Sequence, residues 1–270
     1  MATIQILSDL HLEISKSYEF FDIEPEAPIL AFLGDIGTIE KHKTECLAFF
    51  TKQLRQFSAV LFVPGNHEAY HSSWPVTLAT LREFEEDIRN DSSLGNFVLL
   101  DRTTYLVPDT DVAILGCSLF SFVPPERKME VFQKLNDFYL TGKDWDVDAH
   151  NAAHQRDLAW LNAQVAELEQ RIDVDKVMIL THWSPSTDPR ASDPRHAGSS
   201  ISSAFSSDLS GEPCFTSNKV KAWAFGHTHY NCDFLFETQK RRTPLRILTN
   251  QRGYAFAQAD GFDGQKTIEF

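Results

Sequence analysis

Eight polar side chains stand just after short apolar runs of this sequence: Asp9 and His11, Asp35, Asn66 and His67, His182, and His227 and His229. Nearly all can bind a metal. Taken singly, each acid is equally a turn residue or a helix cap, and Asn66-His67 after Gly65 is equally an ordinary polar turn. Recurrence at five strand ends is what points to a shared role. The set mixes imidazole nitrogen with carboxylate and amide oxygen and holds no thiolate, which suits manganese, iron or zinc better than calcium or magnesium. Seven ligands, one of them a carboxylate able to bridge, fit two divalent ions, with manganese the first expectation. Two ions about 3.5 to 4 Å apart can hold an attacking hydroxide together with the oxygens of a phosphoryl group. Phosphoester hydrolysis is therefore the chemistry expected.

The elements that must position these groups are legible as apolar runs. Ile4–Leu7, Ile29–Leu33 and Ala59–Val63 read as strands, and strand geometry carried past Leu7 would put Asp9 and His11 on one face. Leu47, Phe50, Leu54 and Phe57 recur at helical spacing, so residues 41–57 read as an amphipathic helix between the second and third strands. Leu78, Leu81, Phe84 and Ile88 mark a second helix, begun near Trp74-Pro75 with His71 exposed at its entrance. Strands follow at Val98–Leu100 and Val112–Leu115, with a turn around Pro108–Asp111 between them.

From Phe120 to Asp148 the pattern loses its regularity, which suggests an inserted lobe or lid in an otherwise single domain spanning 1–270. Leu158, Leu161, Val165, Leu168 and Ile172 give a long helix from about Ala149. His150 and His154 lie four apart at its start, but no strand end or acidic motif accompanies them, and they are not read as ligands. Val177–Leu180 and Val220–Phe225 lead into His182 and into His227 and His229. Residues 188–211 read as a long loop. The remainder reads as a hairpin of Asn231–Glu237 and Leu245–Leu248 turning through a solvated Lys240-Arg241-Arg242, then strands at Tyr254–Ala257 and Lys266–Phe270.

Composition narrows the partners. With 25 basic against 38 acidic residues the formal charge is -13, which argues against duplex nucleic acid or an anionic membrane surface. No secretory leader is expected at residues 1–10, and no apolar run approaches the ~18 residues of a membrane helix. Cys46, Cys117, Cys214 and Cys232 form no C-x-x-C pair and suit reduced thiols, so a cytoplasmic location is expected.

In order along the chain, Asp9-Leu10-His11, Gly34-Asp35-Ile36-Gly37-Thr38, Gly65-Asn66-His67-Glu68, His182 and Gly226-His227-Thr228-His229 resemble the five motifs of the calcineurin-like metallophosphoesterase superfamily. The resemblance implies an α/β fold, an αββα sandwich of two mixed sheets flanked by helices, with the site at the strand ends. It implies one metal on Asp9, His11, Asp35 and His229 and another on Asp35, Asn66, His182 and His227, with Asp35 bridging. His67 would stand beside the metals as the acid for the leaving oxygen, and Glu68 would orient His67 or cap the turn. Thr38 departs from the pattern, which usually has a second Asp there, so a changed hydrogen bond behind the ligands is expected.

The chain also looks like a small intracellular branch that opens on Ser8-Asp9-Leu10-His11-Leu12-Glu13 and closes on Asn250-Gln251-Arg252-Gly253-Tyr254. That likeness makes the run Asn250 to Tyr254, Asn250 and Arg252 foremost, and the loop Arg190 to His196, with Arg190, Arg195 and His196, candidates for substrate contact, a surface-loop charge being the competing reading for the arginines. The function implied is dinuclear hydrolysis of a small phosphomonoester or phosphodiester, with a metal-bridging hydroxide attacking phosphorus. A catalytically silent scaffold of the same fold would have lost ligands, and all seven are present. A nuclease of the superfamily would need a basic stripe, which is missing.

Overall fold

The computed structural model describes residues 2–270, the side chain of residue 15 excepted. Its first half runs β1 (Thr3–Leu7), a single turn α1 (Leu12–Ser15), β2 (Ile29–Phe32), α2 (Lys43–Leu54), β3 (Ala59–Phe62), α3 (Trp74–Arg89) and β4 (Asn96–Leu99). The second continues through β5 (Thr103–Leu106), β6 (Val112–Cys117), α4 (Lys128–Lys134), α5 (Asp137–Leu140), α6 (Val147–Gln170), β7 (Lys176–Thr181), α7 (Pro213–Thr216), β8 (Val220–Phe225), β9 (Asp233–Phe236) and β10 (Leu245–Thr249). A small hairpin, β11 (Gly253–Tyr254) with β12 (Ala257–Gln258), precedes β13 (Thr267–Glu269).

Two mixed sheets result, in the orders β13-β1-β2-β3-β4 and β5-β6-β7-β8-β10-β9. In the first, β1 to β4 are parallel and β13 is antiparallel. In the second, β6, β7, β8 and β10 are parallel and the two edges antiparallel. Side-chain alternation makes the layers. Ile4, Ile6, Ala31 and Leu61 meet Ile114, Met178, Leu180 and Ala224 between the sheets. The alternate residues Leu30, Phe32, Val60 and Phe62 face outward onto Phe49, Phe50 and Leu54 of α2 and Leu81, Phe84 and Ile88 of α3. On the far side Leu115, Ile179, Trp223 and Ile247 pack on Leu161, Val165 and Leu168 of α6. The αββα sandwich follows, because parallel strands buried on both faces need helices outside them.

Phe50 shows how tightly the helices hold. Its ring lies 4.8 to 6.3 Å from those of Phe32, Phe62, Phe84 and Phe97, and full burial of such a side chain is worth about 1.5–3 kcal/mol.

Several elements differ from the sequence expectation. The edge strand β5 was not foreseen, since its residues are only partly buried and carry no apolar alternation. The strand expected at Tyr254–Ala257 is a tight two-stranded turn instead. Helix α6 starts at Val147, because the Asp146 carboxylate accepts from the Ala149 amide and caps it there. Arg241 is not solvated. Its guanidinium is buried and donates to the carbonyls of Phe215, Ser217, Val220 and Thr243, tying the β9–β10 turn to the segment after α7.

The irregular stretch from 120 to 146 holds α4 and α5 and builds its own small cluster of Val123, Val131, Leu135 and Phe138, closed by Val147 of α6 and Ala204 from the 188–211 loop. That loop contains three short 3-10 turns, two of them begun by Asp188 and Asp193.

Candidate metal centre

The five motif loops leave the C-terminal ends of β1, β2, β3, β7 and β8, the end of parallel sheets where binding groups collect. Asp9 and His11 are not a continuation of β1. Both are left-handed (φ 54° and 47°), as are Asp35 (54°), His227 (69°) and His229 (48°), so it is a coiled backbone rather than strand alternation that turns each pair inward. Left-handed conformations in residues other than glycine cost on the order of 1–3 kcal/mol each and persist where surrounding bonds over-determine them. Here Asp9 N donates to Gly34 O and His11 N to Asp35 O, locking the first loop to the second. Gly34 (φ 89°) lets three loops meet, since a Cβ there would stand 2.3 Å from His182 Nδ1 and 2.7 Å from the Gly65 amide.

Two donor sets face one another across Asp35. In the first, the Nε2 atoms of His11 and His229 lie 2.9 Å apart, Asp9 Oδ1 is 3.3 Å from His229 Nε2, and Asp35 Oδ2 is 4.0 Å from His11 Nε2. In the second, His182 Nε2 is 3.5 Å from Asp35 Oδ1 and 3.1 Å from Asn66 Oδ1. His182 Nδ1–H donates to Leu33 O, which fixes the ring's orientation and turns Nε2 toward Asp35 and Asn66. His227 Nε2 is buried with no partner, and the Asp9, His11, His229 and Asp35, His182, His227 groups each bring ligand atoms within 4.8 Å. Convergent imidazole nitrogens beside shared carboxylates, one nitrogen orphaned, are a donor set that divalent cations fit.

Electrostatics agree with that chemistry. Burial pushes Asp35 up, but the surrounding histidines hold it well below the usual carboxylate range. Burial lowers His182, yet Asp35 and Asp9 carry it to about 9. Burial and the neighbouring His182 hold His227 well below the usual imidazole range, against the opposing pull of Asp35 and Asp9.

His67 stands beside both sets. Its Nδ1–H donates to Glu13 Oε1 at 2.7 Å and its Nε2 lies 3.9 Å from Asp35 Oδ2. Burial lowers it, and Asp35 and Glu13 raise it to about 9. Burial raises Glu13, and His11 and His67 bring it down to about 2. Glu68 turns away from His67. Its carboxylate accepts from four amides, those of Asp35, Ile36, Gly37 and Gly65, and so clamps the second motif loop to the third. Of the two roles expected for Glu68, the structure shows the cap.

The calcineurin-like phosphoesterase profile matches residues 2–231. The chain belongs to the calcineurin-like phosphoesterase family. It is also similar to an uncharacterised protein of Acanthamoeba polyphaga mimivirus, 25% identical over 278 residues and covering 94% of this chain and 92% of that one. Its fold resembles the crystal structure of a phosphopantetheinyl hydrolase from Mycobacterium tuberculosis, at 15% identity and a TM-score of 0.63, over 94% of this chain and 90% of the other.

The substrate candidates are placed differently from these two donor sets. Arg190 and Arg195 are exposed and paired with their neighbours Asp188 and Asp193, and the Arg190 guanidinium also lies over the Phe234 ring. His196 is exposed in the same loop. Asn250 is fully buried, and its amide braces the backbone at Ile6 and Asp263, which leaves no accessible polar atom for a substrate. Arg252 lies over the Phe21 ring and donates to Leu10 O behind the first loop.

The hydrogen bond expected of Thr38 is not made, for its hydroxyl is buried without a partner. Sequence reasoning gave Glu13 no role; within the Asn250–Tyr254 run, Gln251 accepts from the His229 amide and the Tyr254 ring lies 4.4 Å from His11 and 4.8 Å from His229. Glu13 stands in the opening Ser8–Glu13 motif, which was the signal that could have found it. Asp137, which reaches Asn66 and Tyr70 from α5, carried no signal at all.

Proposed function

We propose that this chain hydrolyses small phosphoesters with two divalent cations, held by Asp9, His11, Asp35 and His229 on one side and by Asp35, Asn66, His182 and His227 on the other. The observation that carries this reading is Asp35, whose Oδ2 faces His11 while its Oδ1 faces His182, so that one carboxylate serves both donor sets. Donors of nitrogen and oxygen without sulfur favour manganese, with iron or zinc as the alternatives. Bound there, the cations supply Lewis acidity to phosphoryl oxygens and acidify water.

The chain's own residues do the rest. Asn66 contributes a neutral oxygen, which limits negative charge where an anionic phosphoester must enter. Glu13 holds the Nδ1–H of His67, so the proton His67 can give away is the one on Nε2, the nitrogen turned toward Asp35 and the site. The rings of Tyr254 and Tyr70 pack on His11 and His67 and wall them from bulk water. A small substrate, acting in the cytoplasm, fits the acidic chain better than a duplex nucleic acid does.

The test is metal-stripped protein reloaded with Mn²⁺ and assayed on p-nitrophenyl phosphate and bis-p-nitrophenyl phosphate. Two ions per chain and turnover of at least one ester are expected, with both lost in Asp35→Ala. Full turnover by metal-free protein would sink the reading, and the ratio of the two rates separates phosphatase from phosphodiesterase.

A further inference from the structure

Asn66 raises a question that the other ligands do not: an amide presents oxygen or nitrogen to a cation depending on which way it is turned, and only oxygen binds one. Its partners decide the matter here. Its Nδ2 donates to Tyr70 Oη at 2.9 Å and to Asp137 Oδ1 at 3.0 Å, and the Tyr70 hydroxyl itself donates to Asp137 Oδ1 at 2.5 Å. Turning the amide over would set Asn66 Oδ1 against the Asp137 carboxylate, two acceptors with no proton between them. Oδ1 is thereby left facing His182 Nε2 at 3.1 Å. Asn66, Tyr70 and Asp137 are all buried, so water does not compete for these bonds.

Asp137 comes from α5, in the stretch where the sequence pattern loses its regularity. The helix is seated against the third motif loop, with the His71 amide donating to Leu140 O and Ser72 bridged to Thr141. We infer that Asp137, acting with Tyr70, is a positioning residue that turns the Asn66 amide oxygen toward the His182 side of Asp35, and so sets the affinity of the Asn66-bearing cation site alone. The inference rests on the two-cation reading above. It also gives the 120–146 stretch a role, because seating α5 completes one of the two sites, while Asp9, His11 and His229 have no hydrogen bond to that stretch among the described residues.

The test uses the full chain, stripped of metal and titrated with Mn²⁺ by equilibrium dialysis, with Asp137→Ala, Asp137→Asn and Tyr70→Phe. Asparagine at 137 keeps an acceptor where Oδ1 stands and places its NH2 where Oδ2 has no partner. Asp137→Ala is expected to weaken one ion by about 10- to 100-fold, the usual loss when a group behind a ligand is removed, with the other ion unchanged. Asp137→Asn should stay within a few-fold of wild type, and Tyr70→Phe should fall between the two while retaining the ring that packs on His67. Wild-type affinities for both ions in Asp137→Ala, or equal loss of both, overturns the inference. If Asp137→Ala does not fold, Tyr70→Phe decides, and an unweakened second ion there overturns it. Wild-type protein that binds fewer than two ions would instead defeat the two-cation reading beneath it, so the two failures are distinct.

Discussion

His150 and His154 lie four residues apart on α6, and His227 and His229 lie two apart after β8; His229 is partly exposed and the other three are buried, and both pairs have spacing that suits a metal. Their surroundings differ. The α6 pair faces backbone and rings: His150 Nε2 accepts from the Ser121 amide, His154 Nδ1–H donates to Leu119 O, and the His150 ring stands edge-on to Phe120 and Trp183. No carboxylate joins them in a cluster that could hold a metal among the described residues. The β8 pair faces Asp9 and Asp35, with His229 Nε2 against Asp9 and His227 Nε2 free. Spacing brings imidazoles together, but a cation also needs negative charge and an unused lone pair, and of the two pairs it is the β8 one that has both.

Paired substitutions sharpen this contrast most. His227→Ala should remove one ion and bring turnover to background, while His150→Ala should keep two ions per chain and lose only stability, by roughly 2–4 kcal/mol for the cavity and the unpaired Ser121 amide. Metal analysis and thermal melting on the same samples read both effects; loss of an ion in His150→Ala would break the comparison. His67→Ala comes next. Here a histidine lies beside the centre without belonging to either donor set, so ion content should hold while kcat falls about 10²- to 10⁴-fold. The loss should shrink for p-nitrophenyl esters, whose leaving group needs little protonation, and a flat dependence on leaving group would remove His67 from that role.

Glu68→Ala tests what holds the loops together. Four buried amides would lose their acceptor, and each unpaired buried group costs about 1–3 kcal/mol, so a fall in stability of at least ~3 kcal/mol is expected by denaturant titration. Glu68→Gln should recover part of it, since one amide oxygen remains.

These residues also mark where the sequence was legible. Apolar runs ending in Asp, His or Asn located the strand ends because burial on both faces leaves little else in such strands, and the layer order followed from the helices between them. Glu68 was narrowed to a cap or an orienting group, and four amides then decided for the cap. The turn geometry was not legible, since left-handed Asp9 and His11 look in sequence like any polar dipeptide after a strand. Nor was Arg241, three of whose four carbonyl partners, Phe215, Ser217 and Val220, meet it only when the β9–β10 turn folds back on the chain at α7 and after it. Asp137 was invisible for the same reason: its partner, Asn66, is 71 residues away.

The smallest effect expected belongs to the α6 pair and concerns pH. Burial, with His154 as the titratable group facing it, lowers His150 to about 3 from an ordinary value near 6.5. The unfolded chain therefore binds a proton that the folded chain refuses between those values. Stability from this residue is fully present above pH 6.5 and is lost as pH falls toward 3, by up to about 1.4 kcal/mol per pH unit. His150→Gln keeps an acceptor for the Ser121 amide and does not titrate, so the difference in stability between wild type and variant should shrink steadily from pH 6.5 to pH 4.5. Comparing the two by urea unfolding in metal-free buffer cancels the centre's own titrations, which both proteins share. A difference that stays constant over that range would mean that His150 carries its proton in the folded state, and that the α6 pair is less unlike the β8 pair than its partners imply.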